Sequence, residues 1–296
     1  MFYEKRKKLN QVQKKKKNNE IATQSVFNNY LHFIRGICEC EMVFVVIDAR
    51  SPDLCRYTVL EDNIKDKMVF ILNKIDLVPR ESVIGWVEFL STIAPTIALS
   101  AKESIEPIIE FIEQKNIKSV SITGLKNMGK RTILSQLNHV SAKITDDWFF
   151  ITPSPELAII QGMIPKKPHI VFGYAVSFLS QCSQQSVSEV FECPGFSDSE
   201  ALIIHVFGDN LMESGKLFFA KIANDEIRFY SPPPTVSAPP ITFSDAQQKS
   251  LKLASLHDAY PKSWLSLLTN GYKNTVLPSI VKSIHKNSKK ISVNFT

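Results

Sequence analysis

Short, continuously apolar segments alternate with helical segments between residues 42 and 123, and this alternation restricts the possible folds of the chain more than any other feature. Four of the segments are rich in β-branched and aromatic residues and are bounded by turn residues: Met42–Asp48, Met68–Leu72, Thr96–Leu99 and Ser119–Thr123. Glu81–Thr92 and Ile105–Gln114 have helical periodicity. Because the apolar runs are continuous, both faces of the sheet should be covered. The pattern predicts an α/β domain with a mostly parallel sheet.

Outside this region the chain changes character. A helix is expected over residues 20–40, and Trp148–Ile151 has the composition of one more strand. Beyond residue 160 we predict helices at Ser177–Gln184, Ser197–Phe207 and Ser214–Ala223, before a proline cluster at residues 232–240 breaks regular structure. We therefore divide the chain into a basic disordered tail (1–19), the α/β domain (20–160), a small helical domain (161–235) and an irregular C-terminal extension (236–296).

The first seventeen residues concentrate the positive charge. Of the 35 basic and 29 acidic residues in the chain, this tail holds eight basic residues and one acid, so the remainder is close to neutral. The basic residues are Lys5, Arg6, Lys7, Lys8, Lys14, Lys15, Lys16 and Lys17. Such a run favours RNA or DNA without sequence preference, or serves as a nuclear or nucleolar address. A solvated, disordered end is the third interpretation, and it is compatible with the other two.

The remaining composition excludes several classes of protein. Five scattered cysteines, odd in number, argue against a disulfide framework and indicate a reducing compartment. The cysteines and histidines lack metal-ligand spacing, so we assign them no metal. We find no apolar stretch long enough to span a bilayer and no signal-peptide core, so no membrane partner is expected.

Asn73-Lys74-Ile75-Asp76 stands at the carboxyl end of a predicted strand, where open α/β sheets bind ligands. The Asp76 carboxylate can accept hydrogen bonds from N1–H and the exocyclic amine of guanine, which selects guanine over adenine. Asn73 can bridge loops near the base edge, and the stem of Lys74 can pack along the base. Charge-assisted hydrogen bonds contribute about 1.5–3 kcal/mol each, enough to determine base choice.

Ser100-Ala101-Lys102 follows the next predicted strand. In guanine-nucleotide folds this loop offers the backbone N–H of the alanine to the guanine carbonyl. The tripeptide is common by itself, but its spacing after Asp76, with a helix between, supports this role.

A glycine-rich loop follows the last strand of the alternating region and opens a predicted helix. It reads Gly124-Leu125-Lys126-Asn127-Met128-Gly129-Lys130-Arg131-Thr132. This is G-x-x-x-x-G-K in the strand–loop–helix context of a phosphate-binding loop, in which backbone N–H groups bind phosphate oxygens and Lys130 reaches the β/γ end. The alternative is an ordinary glycine turn.

Arg131 departs from this motif. A Ser or Thr hydroxyl is expected after the lysine, where it ligates magnesium, and Arg131 has no acceptor atom. Thr132 can still contact the α-phosphate but is unsuited to replace the metal ligand. The sequence thus disfavours the usual magnesium site.

The order of the motifs is itself informative. The base-recognition motifs precede the phosphate loop, which reverses the order of an ordinary GTPase and indicates a circular permutation. Three motifs in this order are far less probable by chance than any one of them.

The chain resembles the nucleostemin-like family of circularly permuted GTPases. Val46 to Pro52 is similar to its D-A-R-x-P element, and Ile71 to Pro79 to its N-K-x-D-L-V-P signature. Phe196 to Glu200, Gly215-Lys216 and Ile227 to Pro233 resemble the end of such proteins. The resemblance implies a permuted P-loop GTPase domain followed by a small helical domain, with GTP or GDP as ligand. It also implies a nucleolar or nuclear factor that assembles the pre-60S ribosomal particle with rRNA and assembly proteins.

The resemblance fails where hydrolysis would be organised. The family's D-x-P-G element corresponds here to Ile151-Thr152-Pro153-Ser154, which keeps only the proline. The usual first switch loop has little room, and Thr145 is the nearest candidate for its threonine. We therefore expect weak or absent hydrolysis.

Three hypotheses remain open. The first is an assembly factor that binds guanine nucleotide, and the second is a nucleotide-free scaffold that binds pre-rRNA and assembly partners. The third is a working GTPase with an atypical metal arrangement. Residues 196–234 either form a protein-contact surface or pack against the α/β domain, and we expect the latter.

Overall fold

A computed structural model describes residues 37, 39–138, 140–144, 154–163, 167–196, 198–237, 240–254 and 260–268. The chain divides into two units, and every element below belongs to the unit formed by Cys40–Asp147 and Pro153–Asn274. Several predicted features lie outside the described residues. They are the basic tail, all of the predicted helix over residues 20–40 except residues 37, 39 and 40, the strand Trp148–Ile151, Thr145 and the first three residues of Ile151-Thr152-Pro153-Ser154.

Five parallel strands form the sheet of the α/β domain in the order β3-β2-β1-β4-β5. They are β1 (Met42–Asp48), β2 (Met68–Asn73), β3 (Thr96–Leu99), β4 (Ser119–Gly124) and β5 (Ser141–Ile144). All residues of β2 and nearly all of β1 are buried, as continuous apolar runs in the middle of a covered sheet require. The predicted mostly parallel sheet is confirmed. The half-exposed β5 was not predicted.

Helices cover the sheet: α1 (Thr58–Ile64), α2 (Arg80–Ser91), α3 (Glu106–Lys115), α4 (Lys130–Leu134) and α5 (Pro155–Ile160). Single turns of 3-10 helix occupy Asp53–Cys55, Lys65–Lys67 and Ile75–Leu77. Trp86 of α2 is fully buried and anchors that helix in the core. Among the described residues, no helix is both long and apolar enough to cross a membrane.

Four further helices follow: α6 (Pro168–Ser180), α7 (Gln184–Phe191), α8 (Ser199–Phe207) and α9 (Leu211–Ala223). The predicted helix Ser177–Gln184 is wrong in its bounds, because residues 181–183 separate two helices. Ser183 caps α7 by accepting a hydrogen bond from the backbone N–H of Ser186, which fixes a new helix start. Gly215 lets α9 approach α6 closely, since a Cβ there would lie 2.8 Å from Cα of Phe172.

The segment expected to be irregular contains regular structure. Strand β6 (Arg228–Tyr230) pairs in parallel with β7 (Trp264–Ser266), and helix α10 spans Asp245–Leu253. The Gln247 side chain of α10 accepts a hydrogen bond from the backbone N–H of Ala98 over 3.1 Å and donates one to the Ala98 carbonyl. Gln247 therefore takes the place of a neighbouring strand at the free edge of β3. This tertiary pairing explains why local composition failed to predict the helix.

The proline segment after β6 packs against α2. The Ser231 carbonyl accepts hydrogen bonds from Nε1 of Trp86 over 2.7 Å and from Oγ of Ser82 over 3.3 Å. Pro233 fills the space above Gly85, where a Cβ would lie 2.4 Å from its Cγ. These contacts bury Ser231. The segment therefore packs against the α/β domain, which is the alternative that we expected from the sequence.

Candidate nucleotide-binding site

A cavity of about 440 Å³ opens beyond the carboxyl ends of the strands. Its lining comprises Asn73, Lys74, Asp76, Leu77, Ser100, Ala101, Lys102, Lys126, Asn127, Gly129, Lys130, Arg131, Thr132 and Ile144. Twelve of the fifteen residues predicted for the site are among them. The three motifs, separated in sequence, therefore converge on one cavity, as parallel strands with adjacent carboxyl ends require.

The lining departs from the prediction in a few places. Gly124, Leu125 and Met128 are not part of it, because the side chains of Leu125 and Met128 point into the core and are at most 2% exposed. Leu77 and Ile144 were not predicted. Leu77 directly follows the base-recognition motif, so adjacency could have identified it. Ile144 ends β5, and it could not be placed without that strand.

Asn73 joins the two loops on either side of it. Its Nδ2 donates to the Met128 carbonyl over 2.7 Å, and its Oδ1 accepts from the backbone N–H of Ala101 over 2.9 Å. The expected bridging role of Asn73 is thus present in the geometry. The Ala101 N–H, expected to face a guanine carbonyl, is directed at Asn73 instead.

Lys74 adopts a left-handed backbone conformation with φ of 64°. Its ammonium lies 2.8 Å from Oδ2 of Asp48 and donates to the Asn127 carbonyl over 2.7 Å. The head group therefore ties the base-recognition loop to the phosphate loop, while the stem remains at the cavity wall.

Asp48 forms the buried anchor of the site. Nε and an Nη of Arg50 bind its two carboxylate oxygens over 3.0 and 2.9 Å. Burial raises the pKa of Asp48, but the charges of Arg50 and Lys74 and their hydrogen bonds outweigh it and hold the pKa well below its usual range. A carboxylate committed to two cations has no role as a base or as a free ligand.

Asp76 presents the contrasting case. Its carboxylate is partly exposed in the cavity, and within the described residues it has no hydrogen bond or ion pair. A carboxylate that lines a cavity and has no partner among the described residues can accept hydrogen bonds from two donors of a ligand. This is the arrangement that guanine recognition needs.

Two positions of the phosphate loop, 124 and 129, require glycine because neighbouring atoms occupy the space of a side chain. A Cβ at Gly124, with φ of 140°, would lie 2.3 Å from the Val46 carbonyl oxygen. A Cβ at Gly129, with φ of 101°, would lie 2.1 Å from Nδ2 of Asn73. The loop therefore follows a path that side chains at these positions would block.

The side chain of Lys130 is buried and folds back onto the start of the phosphate loop. Its ammonium donates to the carbonyls of Gly124 and Leu125 over 2.8 and 2.7 Å. A bound phosphate at this position would have to compete with these carbonyls for the ammonium. Arg131 and Lys126, by contrast, are exposed at the cavity.

Hydrogen bonds connect the C-terminal end of helix α5 to two residues beside the cavity. The Ile160 carbonyl accepts from Arg50 over 3.1 Å, and the Gln161 carbonyl accepts from Nδ2 of Asn127 over 2.6 Å. At the other end of α5, Oγ of Ser154 accepts from the backbone N–H of Leu157 and caps the helix. Ser154, the last residue of the predicted Ile151-Thr152-Pro153-Ser154 element, is thus committed to helix capping.

The described residues do not fit a magnesium ion. No group of three or more His, Cys, Asp or Glu side chains among them could hold a metal. Asp48 is bound by two cations, and Arg131 brings a positive charge to the position where a metal-ligating hydroxyl would stand. The lining of the cavity instead combines the Asp76 carboxylate with the cations Lys102, Lys126 and Arg131.

No family model matches the chain. An uncharacterized GTP-binding protein of Methanocaldococcus jannaschii is 30% identical over 148 residues, covering 43% of this chain and 39% of that protein. Guanine nucleotide-binding protein-like 3 of Homo sapiens is 22% identical over 289 residues, covering 73% and 53%. Nucleolar GTP-binding protein 2 of Yarrowia lipolytica is 26% identical over 247 residues, covering 66% and 48%. The chain thus spans about half or less of these relatives.

Among solved structures, GDP-bound YlqF of T. maritima is similar, with a TM-score of 0.44 and 18% identity, covering 64% of this chain and 93% of that chain.

Proposed function

We propose that this chain is a divergent relative of the nucleostemin-like GTP-binding proteins and that its cavity binds guanine nucleotide, with hydrolysis weak or lost. The proposal rests above all on one observation. The Asp76 carboxylate, which has no partner among the described residues, and the cations Lys126, Lys130 and Arg131 line the same cavity of about 440 Å³. A ligand with a guanine edge at one end and phosphates at the other matches this distribution of charge.

Weak hydrolysis follows from what the described part of the site lacks. Phosphoryl transfer requires a positioned metal, a phosphate loop and an oriented water. Arg131 offers no metal ligand, Asp48 is bound by Arg50 and Lys74, and Ser154 caps α5. The resulting protein would hold GTP or GDP as a structural or signalling ligand.

The cellular role that we propose is assembly of the large ribosomal subunit in the nucleolus. Two of the relatives are named guanine nucleotide-binding or nucleolar GTP-binding proteins, which supports this role for a chain that matches about half of each. The basic tail adds a site for rRNA, with Lys5, Arg6, Lys7 and Lys8 as its first cluster.

A nucleotide-free scaffold on the same fold is the second candidate. It is favoured by the ammonium of Lys130, which is occupied by two loop carbonyls, and by Asn127, which is bound to the Gln161 carbonyl. In that case the chain would bind pre-rRNA and assembly partners with an empty cavity.

Titration with fluorescent GDP, GTP and ATP distinguishes a guanine-nucleotide-binding protein from a nucleotide-free scaffold. Saturable binding of GDP and GTP with weaker or no binding of ATP is expected. The absence of saturable binding of any guanine nucleotide, with and without magnesium, would exclude the first function and leave the scaffold. The nucleotide content of the purified chain provides an independent check.

A further inference from the structure

We propose that the cavity binds the phosphates of its guanine nucleotide without a divalent cation, and that the Arg131 guanidinium takes over the charge that magnesium would supply. This inference rests on the proposed guanine-nucleotide binding and goes further, because it assigns Arg131 as a phosphate ligand and removes magnesium from the binding equilibrium.

The chemistry of Arg131 fits a phosphate and excludes a metal. A guanidinium has five N–H donors in a planar fork and no acceptor atom. It forms paired hydrogen bonds with phosphate oxygens, and it keeps its charge at any physiological pH. A guanidinium at the position of the metal-ligating hydroxyl therefore repels a cation and attracts the same oxygens that the cation would bind.

Arg131 is available for this role. It is exposed and lines the cavity, and within the described residues its side chain has no hydrogen bond or ion pair. Two other arginines show the contrast. Arg50 is bound to Asp48 through two hydrogen bonds, and Arg56 is bound to Glu61 over distances down to 2.7 Å. Both of those serve the fold, whereas Arg131 faces the cavity.

The charges around Arg131 support binding without a metal. Among the described residues, five cations line the cavity and Asp76 is the single acid in the lining. Lys74 shares the Asp48 carboxylate, at 2.8 Å, with Arg50, so its charge is directed away from a ligand. Lys102, Lys126 and Arg131 are the exposed cations of the lining, and they can balance the negative charge of a nucleoside polyphosphate. A divalent ion would enter this field only against repulsion.

The test is a titration of fluorescent GDP in magnesium and in EDTA at equal ionic strength. The wild-type dissociation constant is expected to change by less than about twofold between the two conditions, since no metal takes part. Arg131→Ala should weaken binding about tenfold or more in both, the loss expected for a charge-assisted hydrogen bond. Arg131→Lys should keep most of the EDTA affinity.

Arg131→Ser restores a hydroxyl and is the most specific variant. It should bind weakly in EDTA and regain affinity when magnesium is added. Arg80→Ala removes an equal charge from the exposed start of α2, away from the cavity lining, and should bind like the wild type. Circular dichroism confirms that each variant is folded before its titration is used.

The outcomes separate the two proposals. Wild-type binding that requires magnesium, or Arg131→Ala affinity equal to that of the wild type, would overturn the role of Arg131 and leave guanine-nucleotide binding intact. No binding of GDP or GTP in either condition would overturn the proposed function, and this inference with it.

Discussion

The amide nitrogen of Asn73 lies 2.1 Å from the point where a Cβ at residue 129 would stand. The base-recognition motif and the phosphate loop are therefore in direct contact. A side chain at position 129 would overlap the Asn73 amide, so the contact requires glycine there. The same amide donates to the Met128 carbonyl one residue earlier. A change in either element must displace the other.

Gly129→Ala is expected to lower the free energy of unfolding by about 2–3 kcal/mol, because a strained φ and the displacement of Asn73 add together. Gly195→Ala is the matched control, since Gly195 also has a positive φ of 92° but nothing lies within 4 Å of its Cβ position. Urea unfolding measures the free energy of unfolding of both variants and of the wild type. Equal losses in the two variants would show that the contact with Asn73 adds nothing to the strain.

Asp76→Asn should exchange guanine preference for xanthine preference. Asparagine presents a donor and an acceptor, which matches the acceptor and donor of xanthine, whereas the second donor of guanine would be left unpaired. Guanine affinity should fall by about 10- to 100-fold, as expected for one mispaired charge-assisted hydrogen bond. Competition titrations with GDP and XDP measure the change. Asp76→Ala, which should lose affinity for both bases, is the control, and unchanged GDP affinity in Asp76→Asn would contradict the assigned role.

Asp48→Asn should destabilise the fold by about 3 kcal/mol at pH 7, because Arg50 and Lys74 would lose a buried partner. The folded-state pKa of Asp48 is lowered, so its stabilising contribution is complete above the unfolded pKa of about 4 and is lost as the pH falls through the lower folded value. The difference between wild type and Asp48→Asn should therefore shrink below about pH 4.

Urea midpoints between pH 3 and pH 7 test this pH dependence. Asp66→Asn, at an exposed position before β2, is the control and should follow the wild type at every pH. A difference between wild type and Asp48→Asn that stays constant over the range would show that ionisation of Asp48 does not contribute to stability.

Gln247→Ala should lower the free energy of unfolding by about 1–3 kcal/mol, since it leaves the Ala98 backbone groups at the edge of β3 without partners. Gln248→Ala, one position along the same helix but exposed, should change stability by less than about 0.5 kcal/mol. Urea unfolding monitored by tryptophan fluorescence compares the two, because Trp86 is buried. Equal effects would mean that the pairing of α10 with β3 contributes no stability.

The parallel sheet and most of the cavity could be predicted from the sequence, because both depend on local signals. Continuous apolar runs identify buried strands, and residue types such as Asp76, Gly129 and Lys130 at fixed positions after those strands predict which loops line the cavity. The carboxyl ends of adjacent parallel strands must meet, so the motifs had to converge. The basic tail was equally visible as a charge pattern.

Tertiary structure alone decided the contacts that hold these loops in place. The Arg50 bond to the Ile160 carbonyl joins residues 110 apart, and the Gln247 pairing with Ala98 joins residues 149 apart. Neither an arginine nor a glutamine carries a periodicity that would reveal its partner. The same holds for Arg131: its residue type alone shows that it has no ligand atom for magnesium, and only the folded chain shows that it lines the cavity and pairs with no carboxylate among the described residues.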